Sequence, residues 1–99
     1  MFKRRTIIGR VSRLQPMVTS TVGDQTTYGL SFDLTVYRSP RSPKVFRVCG
    51  EVWGAEQSIL ASRIREGSQV MVIGCVKSPD PAAMVQLPRL DLERLVEVG

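Results

Sequence analysis

The side chains able to do chemistry are few, and the missing ones narrow the field first. The chain has no histidine. A Ser-His or Cys-His nucleophile pair, an imidazole base and a histidine metal ligand are therefore excluded. Cys49 and Cys75 are the only cysteines. They stand far apart, form no CxxC pair and argue against a structural zinc. Two thiols in a short chain suit a reducing compartment, with a single bridge as the alternative. Both are expected to be small buried or half-buried residues without chemistry. Glycines occur singly, with neither GxGxxG nor GxxxxGK followed by Ser or Thr, so nothing announces a phosphate cradle. The carboxylates show no acid/base pair at dyad spacing. No enzyme, cofactor or metal is expected.

What remains is the chemistry of binding. The formal net charge is +5, and it is unevenly spread. Met1 to Arg47 carries nine Lys or Arg against Asp24 and Asp33, whereas Val48 to Gly99 carries five against seven acids. Eleven of the fourteen cations are Arg, the side chain better suited to bidentate phosphate contact and to stacking on bases. A basic half on a small protein points to a polyanion, most often nucleic acid; the plain alternative is a solvated basic surface.

The elements that must position these residues follow from hydrophobic period. Thr6 to Arg13 is a short β-rich run, with Gly9 marking a bulge or a close backbone approach. Gln15 to Gln25 is polar, with Pro16, Gly23 and Asp24 as turn chemistry. Tyr28 to Tyr37 alternates, with Leu30, Phe32, Leu34 and Val36 on one face and Ser31, Asp33, Thr35 and Tyr37 on the other. Arg38 to Lys44 is a hairpin tip of prolines and cations. Lys44 to Trp53 alternates again: Phe46, Val48, Gly50 and Val52 oppose Val45, Arg47, Cys49, Glu51 and Trp53. The second set mixes charge with the sole Trp, and reads as a surface that meets something. Ala55 to Glu66 predicts a helix stopped at Gly67, with Leu60 and Ile64 on its buried side. Gln69 to Lys77 is apolar on both faces and so central. Met84 to Val98 holds one or two edge segments around Pro88.

Ninety-nine residues leave room for one domain, residues 1–99. Hydrophobic residues at 42% and charged residues at 23% describe an ordinary globular chain. No apolar run approaches the ~18–20 residues of a membrane span, and no secretory leader is read. A cytoplasmic location is expected, or an organelle interior if a presequence has been removed. The order strand, strand, strand, helix, strand, strand predicts an all-β fold. It fits a five-stranded Greek-key OB-fold barrel with one helix between strands three and four.

Phe46 to Lys77 carries a resemblance. Trp53-Gly54-Ala55-Glu56, then Arg65-Glu66-Gly67-Ser68-Gln69-Val70, then Ile73-Gly74, resemble the strand-three end, helix terminus and strand four of the bacterial-type single-stranded DNA-binding (SSB) proteins. Ile7-Ile8-Gly9-Arg10-Val11 is similar to that family's opening strand, and Ser31 to Val36 to its second. The resemblance touches about two thirds of the domain. It implies that Trp53 occupies a base-stacking position, that Tyr37 lies near another, and that Arg10 follows the strand-one glycine. Arg47 stands where many members carry a second stacking aromatic. The hairpin is short for the family, and the family's acidic tail, which recruits replication partners, is not expected here.

The expected function is binding of single-stranded nucleic acid, DNA before RNA, with little sequence preference. Trp53 and Tyr37 would stack bases, while Arg10, Arg38, Arg41, Lys44, Arg47 and Lys77 neutralise phosphates. Glu51, on the face of Trp53, opposes phosphate. Lys3, Arg4 and Arg5 are expected as a loose N-terminal arm. The resemblance implies a homodimer or homotetramer and a role in replication or repair. The alternative is an OB-fold interaction subunit of a replication, primosome or RNA-processing assembly, as in primosomal replication protein N.

Overall fold

The computed structural model describes residues 3–15, 18–37, 43–79, 81, 82, 84 and 87–98. Its elements are β1 (Lys3–Ser12), β2 (Val18–Val22), β3 (Gln25–Tyr37), β4 (Pro43–Trp53), α1 (Ala55–Arg63), β5 (Gln69–Lys77) and β6 (Arg89–Glu97). β3 and β4 form an antiparallel hairpin in unbroken register, from Thr27 opposite Trp53 to Tyr37 opposite Pro43. β1 pairs with β5 from Lys3 to Arg10, and with β3 from Arg10 to Ser12. β6 runs antiparallel to β5 and parallel to β4. The ladders close a ring β1–β3–β4–β6–β5–β1, with α1 between its third and fourth strands. This is the five-stranded OB-fold barrel.

The alternation in β3 and β4 dictates the interior. Leu30, Phe32, Leu34, Phe46, Val48 and Val52 are buried there with Val11, Val72, Leu90 and Leu95. Gly9 sits where β1 leaves β5 for β3. A Cβ there would lie 2.5 Å from the Thr35 carbonyl oxygen and 2.9 Å from Leu34 Cγ, so the seam closes only on a glycine. α1 packs against β3, β4 and β6, burying Ala61 and leaving Leu60 partly buried; just past its end Ile64 is also buried. The Gln57 side-chain amide donates to the Leu95 carbonyl (2.9 Å) and accepts from the Leu95 N–H (2.8 Å). That occupies β6 backbone beyond the stretch paired to β4.

Four local expectations are corrected. β2 forms inside the stretch read as turn and paired to the start of β3, outside the ring; Gly23, at φ 62°, supplies the tight turn between them. Lys3, Arg4 and Arg5 belong to β1 and pair with Val76, Cys75 and Gly74, so they are not a loose arm. β6 is an inner strand flanked by β5 and β4, not an edge. The helix stops at Arg63, because Ile64 is already extended (φ −67°, ψ 136°). No helix of the described residues is long and apolar enough to cross a membrane.

Candidate functional site

Strand parity places Val45, Arg47, Cys49, Glu51 and Trp53 on the outside of β4, and the unbroken register leaves no bulge to reverse it. Trp53 is 51% exposed, opposite Thr27, and Tyr37 is 65% exposed, opposite Pro43. They stand at opposite ends of the hairpin, about 33 Å apart along the strands at ~3.3 Å per residue. Arg47 lies between them.

The barrel brings further cations to Arg47. Across one edge of β4, Arg47 is opposite Arg89, and Arg89 is opposite Lys77. Across the other, Arg47 is opposite Asp33, which is opposite Ser12. One level along, exposed Arg10 is opposite Thr35. Arg47, Arg89 and Lys77 thus form one row on the outer wall, with Lys77 ion-paired to Asp91. Lys44 is separated from this row. Its parity is that of Phe46, and its Nζ lies 5.1 Å from the Phe46 ring centroid in a cation–π contact. Arg38 and Arg41 lie outside the described residues.

Asp33 is only 6% exposed although it sits on the outer side of β3. A buried carboxylate needs partners, and two arginines supply them: Arg47 Nε at 3.4 Å from Oδ1 and Arg13 Nε at 3.9 Å from Oδ2. A pocket of about 270 Å³ opens there, lined by Arg13, Gln15, Ser31, Phe32, Asp33 and Arg47. Arg13 and Arg89 were not singled out from the sequence. Alternation from Arg10 would turn Arg13 inward; a left-handed backbone at φ 52° redirects it, and sequence gives no warning of that. The signal for Arg89 was its place one residue before the buried Leu90, immediately after Pro88.

A second polar cluster lies on the outer side of β1, β5 and β6. The Arg4 guanidinium donates to Glu93, and the Cys75 thiol approaches the same carboxylate at 3.5 Å. The Arg4 hydrogen bond holds the Glu93 carboxyl below its ordinary range. Partial burial, followed by the hydrogen bond to Glu93, pushes the Cys75 thiol up. Cys49 is exposed, contrary to expectation, because it shares the outward parity of Arg47. Both thiols are free. Among the described residues no group of three or more metal-ligating side chains converges.

No family model and no curated protein matches this sequence. Solved structures do match. The second single-stranded DNA-binding protein of Mycobacterium smegmatis, SSBb, superposes with a TM-score of 0.60 at 16% identity, over 98% of this chain and 89% of that one. The small single-stranded DNA-binding protein of Streptomyces coelicolor gives 0.61 at 11% identity, over 99% and 95%. The SSB domain of a Synechococcus protein gives 0.53 at 17% identity, over 93% and 91%. At these identities what is shared is the OB barrel.

Proposed function

We propose that this chain acts as a single domain that binds single-stranded DNA with little sequence preference, in replication or repair and without catalysing a reaction. The observation that carries the reading is the outer face of the β3–β4 hairpin. It presents the half-exposed Trp53 on the same side as Arg47, and Arg47 heads a row of cations continued by Arg89 and Lys77. Trp53 offers a π-surface to a base, and Tyr37 a second one at the far end; the arginines, with Arg10, meet phosphates. The SSB names of the structural neighbours support the same ligand. Lys44, held over Phe46, adds to the basic surface, and Arg38 and Arg41 are proposed as further phosphate contacts on sequence grounds alone. The compartment proposed is the cytoplasm or an organelle interior.

A homodimer or homotetramer is part of this proposal. Ile8 is 47% exposed on the outer side of β1, with partly buried Met71 and Val96 in line with it and Ile73 on the next row. A second copy covering that stripe would remove it from water. The acids on the outer wall, Glu51 and Asp91 among them, are the feature that favours the other reading, a subunit that docks on replication or RNA-processing proteins.

A salt series with a dT oligonucleotide tests the function. Three to five phosphate contacts predict a log–log slope of about −2 to −3.5, at ~0.7 per contact on a single strand. Trp53→Ala should weaken binding by ~1–3 kcal/mol and leave the slope nearly unchanged. Absent binding at low salt, or affinity flat across the series, would favour protein docking.

A further inference from the structure

The neighbourhood of Asp33 holds more than the proposed strand-binding surface requires. Both arginines meet the carboxylate through Nε, one on each oxygen. Neither side chain has another hydrogen-bond or ion-pair partner among the described residues, so no described residue engages their terminal Nη groups. With side chains 75% and 48% exposed and separations of 3.9 and 3.4 Å, these pairs contribute little to stability. What they do contribute is placement: the one buried carboxylate draws two guanidiniums to the pocket that both line.

The backbone supports the same arrangement. Arg13 is the sole non-glycine residue with positive φ among those described, and such strain is kept where its surroundings over-determine it. Here Glu66, from the turn before β5, accepts from the Arg13 N–H (3.1 Å) and the Leu14 N–H (2.6 Å). The Gln15 N–H donates to the Ser31 carbonyl at 2.9 Å. Arg13 is therefore clamped beside the pocket from both sides.

We propose that Arg13 and Arg47 form a subsite for one phosphodiester group of a single DNA strand, with the buried Asp33 as the positioning residue that aims both guanidiniums. The proposal rests on the strand-binding reading above and adds Arg13 and Asp33 to it. The phosphate enters the pocket that Arg13 and Arg47 line, and Asp33, only 6% exposed, lies largely out of its reach. The acid has an electrostatic cost, being one negative charge close to a phosphate, and this gives the test a sign.

Asp33→Asn keeps the shape and raises the net charge by one. Charge alone predicts tighter binding of a dT oligonucleotide; a positioning role predicts weaker binding, by roughly two- to ten-fold, as two long side chains lose their fixed geometry. Arg13→Gln should lower the salt slope by about 0.7, the value for one lost phosphate contact. Thermal midpoints near wild type would show that both variants fold. Tighter binding by Asp33→Asn overturns the positioning role. An unchanged slope and affinity for Arg13→Gln overturns the subsite, even where Asp33→Asn does not fold. A wild-type chain that fails to bind dT at low salt removes the underlying reading, and the subsite with it.

Discussion

Two cysteines with the same side chain meet different surroundings. Cys49 faces outward on β4 and is exposed, 3.5 Å from the Ser31 hydroxyl. Cys75 is half-buried between β1 and β6 beside Glu93, where burial and the carboxylate disfavour its thiolate. Because the thiolate is the nucleophile, limiting iodoacetamide near neutral pH should label Cys49 first, with Cys75 following only at higher pH or after unfolding. Peptide mass spectrometry reads the order, and equal early labelling would mean that Cys75 does not pack against Glu93. The candidate site divides in a similar way at this scale. The outward placement of Arg47 and Trp53 was legible because both lie in a strand with strict alternation. Arg13 was not legible, since its direction depends on one left-handed backbone residue held by Glu66, 53 positions away.

At the level of elements, what could be read was whatever buries a regular apolar face. β3 and β4 announce themselves by period, β5 by a run apolar on both faces, and the helix by its uninterrupted run and its glycine stop. β2 did not, because Thr-Ser-Thr between Val18 and Val22 has no apolar alternation and gains its strand from pairing to β3. β6 was ambiguous for a different reason. The ladder passes from Ile73 opposite Arg94 to Gly74 opposite Leu92, so Glu93 is an extra residue. Leu90, Leu92 and Leu95 are all buried, though their spacing is not that of a regular strand. The helix contribution is testable. Ile64 is 5% exposed and Leu60 only partly buried, so Ile64→Ala should cost about 2–4 kcal/mol in urea unfolding and Leu60→Ala less. An Ile64→Ala midpoint equal to wild type would mean that the helix end does not close the barrel.

For the whole molecule, the barrel acts as a rigid former that decides which distant residues become neighbours. Arg47, Arg89 and Lys77 come from three strands scattered along the chain, and only ring closure puts them in one row. The same closure sets Trp53 and Tyr37 at opposite ends of one hairpin, so a strand touching both must run along the length of the outer wall. The basic first half of the sequence suggests a polyanion, but the path such a ligand would take depends on the topology. Trp53 is the only tryptophan, and its emission therefore reports on that wall without ambiguity. Titrating the protein with a dT oligonucleotide at low salt should quench this emission to saturation, and added salt should reverse the quenching. Emission that stays unchanged while a labelled oligonucleotide is seen to bind, or no binding at all, would contradict stacking on Trp53 and the account built around it.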